Sequence, residues 1–352
     1  MSQAKESGPM AAPDHHPQRL APWLQTQLES LLAQRGHAWL LSGPSGLGQF
    51  ELALALARAW LCEQATAQGA CGHCSSCHAV AVHTHADLCM LMPETLSLAL
   101  GWPLDEKIQN ELDDKKRKPS KEIKVDAARE AVSFTQFTRS RGSTKVVLVF
   151  PAERMNHITA NTLLKTLEEP PGDVKFVLAS DAAHQLLPTI RSRCLGHTMV
   201  WPDAKDSLQW IEAQGIPAAQ ASVMLRAAGG RPEDALLFSQ SGRDAQAWVK
   251  LPKAMARGDV SVLKDWTPAQ TVDALHKLCH DMLLRQCGAL PRFFEAADLP
   301  TGGSLATLTA WSKALATTSC TVEHPFNAGL MQEALVSQAQ NALNSKHERP
   351  SP

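Results

Sequence analysis

The stretch from Trp39 to Phe50 reads WLLSGPSGLGQF: an apolar run leads into a glycine-rich turn, and a helical pattern begins behind it. A strand, a glycine-rich loop and a helix in this order are how a phosphate-binding P-loop is built. Gly43 and Gly48 fit the two glycine positions of the pattern G-x-x-x-x-G-K-[ST]. The stretch therefore predicts the nucleotide-binding corner of an α/β fold.

The two positions behind this loop do not fit phosphate chemistry. A working P-loop continues with a Lys that reaches the β- and γ-phosphates and with a hydroxyl that binds Mg²⁺. Gln49 and Phe50 stand there instead. Because Gln is uncharged and Phe has no oxygen for the metal, we expect no bound nucleotide and no ATP hydrolysis from this chain.

A second apolar run, from Lys145 to Phe150, is typical of a central parallel strand. An ATPase would carry an Asp-Glu pair at its end, but Phe150 and Pro151 stand in the two places. Glu153 comes three residues too late in the turn to replace the missing Asp, and we interpret it as a surface or capping carboxylate. The second half of the nucleotide site is thus also predicted to be defective.

Strand and helix patterns alternate up to about residue 200, which predicts a doubly wound parallel sheet. Beyond that point the apolar spacing is helical, as in the stripe of Val272, Leu275, Leu278, Met282 and Leu283. Leu330, Leu335 and Leu343 continue this spacing near the end of the chain.

Four cysteines lie close together in the sequence: Cys62 at the end of the helix behind the P-loop, then Cys71, Cys74 and Cys77. In a reducing compartment this spacing favours a metal over disulfides, and four thiolates complete a closed, structural Zn²⁺ site. Unligated thiols and a redox switch are the alternatives. Other ligands could come from nearby histidines, which we interpret as solvated: His73, His78, His83 and His85.

Length, charge and composition argue against a membrane protein, a secreted protein and an autonomous DNA-binding protein. The chain has 352 residues, a formal net charge of −1 and no apolar run long enough to cross a membrane. Residues 1–17 lack the pattern of a secretory signal, so we expect a cytoplasmic protein. The near-neutral charge argues against strong autonomous DNA binding, and we interpret the charged run 113–121 as a solvated loop rather than a DNA contact.

Together these motifs resemble the AAA+ clamp-loader family of bacterial DNA polymerase III, and within it the delta prime branch. The resemblance covers most of residues 20–240. It is carried by Pro22-Trp23-Leu24, the P-loop frame, the four cysteines, ANTLLKTLEEPP at 160–171 and Ser192-Arg193-Cys194. The gamma/tau members of that family keep the P-loop Lys and the Asp-Glu pair, whereas the delta prime branch is similar to this chain in lacking them.

The resemblance implies that Arg193 is inserted in trans, as an arginine finger, into the ATP site of an adjacent subunit. A guanidinium suits this role because it stays charged and can bridge phosphate oxygens. The alternative is an ordinary surface arginine in a salt bridge, a role that we expect more of Arg191. The implied partners are the gamma/tau ATPase subunits and the delta subunit in a hetero-pentameric ring, which loads the sliding clamp on primer-template DNA during replication.

The resemblance also implies an AAA+ RecA-like domain, a small helical lid and a helical collar for oligomerisation. In the lid, related active ATPases have a phosphate-sensing arginine at the position that aligns with Glu233, although the nearby Arg231 leaves this alignment open. The predicted segments are a disordered tail (1–18), the RecA-like domain (19–201) with a zinc module (62–89) and a charged insertion (93–124), the lid (202–245), the collar (246–345) and a second tail (346–352).

Two other functions remain as alternatives. An active gamma/tau-like clamp-loader ATPase would need its unusual P-loop to turn over, against the residues at positions 49, 50, 150 and 151. A zinc-dependent nucleic-acid binding module would need a basic and aromatic surface pattern, which the sequence lacks.

Overall fold

The computed structural model describes residues 20–345 apart from 141, 143, 323, 325 and 326. The chain divides into two compact units, one ending at Val200 and the other beginning at Trp201. The two predicted tails, 1–18 and 346–352, lie outside the described residues. Among the helices of the described part, none has the length and apolar character that a membrane span requires.

The first unit is built on a five-stranded parallel sheet. Its strands are β1 (Ala38–Ser42), β2 (Leu88–Leu91), β3 (Lys145–Val149), β4 (Val174–Ser180) and β5 (Leu195–Thr198), and their order across the sheet is β2-β3-β4-β1-β5. The central strands are continuous apolar runs because both faces of a parallel sheet are covered, and all of β3 is buried. The short outer strands β2 and β5, which the sequence patterns did not single out, are less buried.

Helices cover both faces of this sheet. They are α1 (Pro22–Leu32), α2 (Gln49–Leu61), α3 (Ser75–Ala81), α4 (Glu94–Ala99), α5 (Glu106–Asp113), α6 (Val125–Gln136), α7 (His157–Glu168) and α8 (Pro188–Arg191). Helices α6 and α7 share one core with Leu40, Val147 and Phe176 of the sheet, while α2 packs against β3 and β4. The predicted doubly wound α/β fold is confirmed.

The charged insertion holds the two helices α4 and α5, while residues 114–121 of its charged run contain no helix or strand. Glu94, at the start of α4, is only 6% exposed. Its carboxylate pairs with the guanidinium of Arg117 and, at 2.9 Å, with the ammonium of Lys124, and it accepts the backbone N–H of Ser120 at 2.8 Å. Part of the basic charge of this segment is therefore neutralised within the segment itself.

The second unit is helical, as the sequence predicts. Its helices are α9 (Ala204–Ala213), α10 (Ala218–Ala227), α11 (Pro232–Gln240), α12 (Ala245–Arg257), α13 (Pro268–Gln286), α14 (Leu305–Thr321) and α15 (Ala328–Leu343). One hydrophobic core runs from Ile211 through Trp248 and Leu275 to Leu343. The predicted stripe on α13 belongs to this core, whereas Leu330 on α15 is 65% exposed.

Candidate functional site

The glycine-rich loop joins β1 to α2 and has the backbone geometry of the predicted P-loop frame. Gly48 precedes the helix with a φ of +93°, a left-handed conformation that side chains other than glycine rarely adopt. At Gly43, an added Cβ would lie 2.8 Å from the Cβ of Met199. The glycines at both ends of the loop are therefore required by its path.

The interior of the loop is filled by the side chain of Gln49, which is 2% exposed. Its Nε2 lies 2.8 Å from the carbonyl oxygen of Gly43 and 2.7 Å from that of Pro44. The same nitrogen donates to Oδ1 of Asp181 at 3.0 Å. Because an amide nitrogen has two hydrogens and meets three acceptors here, it has no donor left for a phosphate.

Two aromatic rings meet beside the loop, at the positions where magnesium chemistry would require oxygen. The ring centroids of Phe50 and Phe150 are 5.2 Å apart, with a tilt of 34° between the planes. Neither ring offers an oxygen to a metal ion, and the contact fills the space between the start of α2 and the end of β3. The sequence shows that both positions hold phenylalanine, but it does not show that the two rings are in contact.

Two carboxylates, those of Glu153 and Asp181, lie at the end of β4 near the loop. Glu153 accepts the hydroxyl hydrogen of Ser180 at 2.7 Å and the backbone N–H of Asp181 at 3.2 Å, so it caps the end of β4. Asp181 was missed by the sequence reasoning, although it directly follows a buried parallel strand, where ligand-contacting residues of α/β sheets commonly lie. Two carboxylates beside a neutral amide disfavour a triphosphate.

The four predicted metal ligands come together. Cys62 ends α2, Cys74 is the residue before α3, and all four sulfur atoms lie within 4.8 Å of one another. Three of the separations are 3.4 Å between Cys62 and Cys71, 3.8 Å between Cys62 and Cys74, and 3.9 Å between Cys71 and Cys77. Sulfur atoms about 2.3 Å from a tetrahedral Zn²⁺ are about 3.8 Å apart, so the cluster fits this ion.

Backbone N–H groups point at these sulfur atoms and support thiolates. Cys62 accepts from the N–H of Cys71 at 3.3 Å, and Cys74 accepts from that of Cys77 at 3.4 Å. Burial raises the pKa of the Cys74 thiol, but hydrogen bonds from the backbone N–H groups of Cys77 and Glu63 and from the Cys77 and Cys71 thiols outweigh it and bring the pKa to about 6. For Cys62 and Cys77 burial prevails and raises the pKa of the thiol. Nearby, both ring nitrogens of His85 are engaged, by the Ser76 hydroxyl and the Asp87 N–H, so His85 is not available as a ligand.

Arg193 lies between α8 and β5, and the Nε–Nη2 edge of its guanidinium is hydrogen-bonded to Glu168. Nε and Nη2 donate to the same carboxylate oxygen, Oε2 of Glu168, at 3.1 and 2.8 Å. Nη1 donates to the carbonyl oxygen of Thr189 at 3.1 Å. Among the described residues Arg191 is exposed and forms no ion pair, so the salt bridge that we expected more of Arg191 is made by Arg193.

The loop follows the C-terminal end of β1, whereas Arg193 precedes the N-terminal end of β5. β1 and β5 are parallel, and Trp39 is level with Leu195. Trp39 stands four residues before Gly43, or about 13 Å along a strand, and Arg193 lies in the turn before Leu195. In the second unit, Arg231 is paired with Asp234 at 2.7 Å.

Sequence comparisons relate this chain to subunits of DNA polymerase III. The family described as DNA polymerase III, delta subunit, matches residues 19–199. DNA polymerase III subunit delta' of Pseudomonas aeruginosa is 38% identical over 234 residues, which are 65% of this chain and 64% of that protein. The subunit delta' of Escherichia coli is 34% identical over 285 residues, or 77% of this chain and 78% of that protein. Subunit tau of Salmonella typhimurium is 33% identical over 159 residues, which are 45% of this chain and 21% of that protein.

Proposed function

The chain belongs to the DNA polymerase III subunit delta' family, and on this basis we propose that it is a clamp-loader subunit that hydrolyses no ATP and supplies Arg193 to a neighbouring ATPase subunit. The proposed work is the loading of a sliding clamp on primed DNA as part of the DNA polymerase III holoenzyme.

One observation carries this proposal: the loop and the arginine lie at opposite ends of two neighbouring parallel strands, β1 and β5. The loop end holds a neutral amide, two phenyl rings and two carboxylates, none of which stabilises a triphosphate. Arg193 precedes the start of β5, at the opposite end of the strands from its own loop, which supports the proposal that the phosphate it meets belongs to another subunit. A gamma/tau-like ATPase would need the glycine-rich loop to bind a triphosphate. The three acceptors that engage the Gln49 amide argue against such binding.

The rest of the assignment follows the family. We propose that the neighbours are the gamma/tau and delta subunits in a hetero-pentameric ring, that clamp and primer-template DNA are contacted through the assembled complex, and that the protein acts in the cytoplasm. The lid and the collar are proposed as parts of the second unit, with the collar closing the ring. Zn²⁺ is the proposed ion of the four cysteines, with a structural role.

The test is Arg193→Ala in the reconstituted complex. A partly exposed side chain contributes little to the core, so the variant should fold and assemble normally, while ATP turnover at the adjacent site falls. Fingers in trans contribute roughly 10³- to 10⁵-fold in other phosphoryl-transfer systems, but a ring with several ATP sites would lose only part of its total rate. Single-site turnover is therefore the measurement. Arg193→Lys should restore it only partly because an ammonium lacks the planar fork.

Arg191→Ala is the matched control, since Arg191 lies two residues away and is exposed. It should leave turnover at the adjacent site unchanged. If Arg193→Ala complexes assemble and keep the wild-type turnover at that site, Arg193 is structural and the proposed role is wrong.

A further inference from the structure

We propose that Glu168 is the positioning residue of Arg193: it fixes one edge of the guanidinium so that the opposite end faces a neighbouring subunit's phosphate. The inference rests on the proposed function and concerns a residue that does not itself touch the nucleotide. Its basis is the way in which the five N–H groups of the arginine are distributed.

Three of these five N–H groups have partners within the chain. Glu168 takes those on Nε and Nη2, and the Thr189 carbonyl takes one on Nη1. One hydrogen on each terminal nitrogen remains, and the described residues offer no further acceptor to them. A pair of terminal N–H groups is the arrangement that binds two phosphate oxygens together.

Glu168 is suited to this task because its own position is fixed. It is the last residue of α7, which ends before Pro170. The preceding Leu167 is fully buried, and its carbonyl oxygen lies 2.9 Å from Nε2 of His37 at the entry to β1. The carboxylate is thereby carried on a helix end that is anchored to the sheet, while it is itself 58% exposed.

An exposed ion pair of this kind contributes little to folding, so a purely structural role would explain poorly why the pair is made. Arginine has many rotamers, and holding it in one of them before the phosphate arrives lowers the entropy lost in the transition state. The same pair could instead withhold the finger from the phosphate. The two roles predict opposite effects when the carboxylate is removed.

The experiment compares Glu168→Ala, Glu168→Gln and the control Glu169→Ala in the reconstituted complex, by single-site turnover at the adjacent subunit. Glu169 is the next residue, is exposed and has no side-chain partner among the described residues. Glu168→Ala should lower the turnover number about 10-fold with little change in the KM for ATP, because misplacement affects the transition state more than binding. Glu168→Gln keeps one carbonyl oxygen for Nε and Nη2 and should remain within about two-fold of wild type.

The Arg193→Ala background separates this inference from the proposed function. There, Glu168→Ala should have no additional effect, since a positioning residue has nothing left to position. If Arg193→Ala slows the adjacent site but Glu168→Ala leaves it unchanged or makes it faster, the positioning inference is wrong and the finger stands. If Arg193→Ala has no effect, the proposed function itself is wrong.

Discussion

The side-chain amide of Gln49 closes the glycine-rich loop by hydrogen bonds, but it has no positive charge with which to bind a phosphate. The carbonyl groups of Gly43 and Pro44 point into the loop and are satisfied by its Nε2. A buried polar group left unpaired costs about 1–3 kcal/mol, so this amide stabilises the closed loop. A lysine at this position would bring the missing charge, but it would meet the carboxylate of Asp181 in the same space.

Restoring the two P-loop residues should therefore not restore ATP hydrolysis. We expect the isolated Gln49→Lys/Phe50→Thr variant to release phosphate at no more than the background rate, because Phe150 and Pro151 supply no carboxylate for the metal and the water, and Glu233 is no phosphate sensor. Steady-state phosphate release with ATP and Mg²⁺ is the measurement, and the unmodified chain is the control. Rapid hydrolysis by this variant would mean that the defects after β3 and at Glu233 are misinterpreted.

The sequence predicts those parts of the site whose residues are neighbours in the chain. The missing lysine, the missing Asp-Glu pair and the cysteine spacing are all local patterns. Asp181 was not predicted because it lies 132 residues from Gln49 and meets it only through the pairing of β1 with β4. The contact between Glu168 and Arg193 likewise depends on where α7 and α8 end, which spacing alone does not give.

The cysteine cluster ties the end of α2 to the start of α3, so the proposed metal should hold this part of the chain in place. We predict about one zinc per purified chain and none in the Cys74→Ser/Cys77→Ser variant, since two remaining thiolates cannot complete the tetrahedron. Metal analysis checks the stoichiometry. Backbone hydrogen exchange in residues 62–89 should be faster in the variant, while chemistry elsewhere is unaffected.

A double variant of two exposed cysteines, Cys287→Ser/Cys320→Ser, is the matched control and should keep its zinc. Undiminished zinc in the Cys74→Ser/Cys77→Ser variant would refute the ligand assignment.

The insertion 93–124 illustrates why a charged segment is hard to interpret from sequence. Its charged run, 113–121, suggested a solvated loop, but Arg117 of this run pairs with Glu94. The partners of Glu94 lie 23 to 30 positions further along and bury its carboxylate. Burial raises the pKa of Glu94, and the hydrogen bonds from Arg117, Lys124 and Ser120 outweigh this effect and lower it from 4.5 to about 2. The ionised carboxylate therefore stabilises the folded segment.

This shift predicts how the segment responds to acid. Since the folded pKa lies below the unfolded one, the stabilisation is complete above about pH 4.5 and is lost as the pH falls towards about 2. Glu94→Gln should lower the local stability by about 3 kcal/mol at pH 7, and the difference from wild type should shrink between pH 5 and 2. Hydrogen exchange of the Ser120 amide is the measurement.

Glu106→Gln is the control for that experiment, because Glu106 is an exposed carboxylate in the same segment. It should have little effect at either pH. A difference between Glu94→Gln and wild type that stays constant from pH 7 to pH 2 would contradict the role given to the ionised carboxylate.

Helical periodicity predicts that residues after 200 are helical but not which helices share a core. The stripe on α13 is buried as predicted, with Leu283 partly buried, yet it belongs to one hydrophobic core that also includes Ile211 and Phe238 of the proposed lid. Side chains from distant helices fill this core, so its extent depends on tertiary packing. The two compact units, by contrast, meet at residue 200, where the alternating strand and helix pattern of the sequence also ends.

The distribution of charge over the chain sets its affinity for DNA. The formal net charge is −1, and the basic run of the insertion is partly paired: Lys116 with Asp114 at 2.7 Å and Arg117 with Glu111 at 2.9 Å. We therefore expect the isolated chain to bind primed DNA with a Kd no tighter than about 10⁻⁴ M at 150 mM salt, the weak end of non-specific binding. Titration at several salt concentrations measures both the affinity and the number of phosphates contacted, and Lys116→Ala/Lys118→Ala should change neither. A steep salt dependence that this variant removes would favour the nucleic-acid binding module over a subunit that reaches DNA only through its complex.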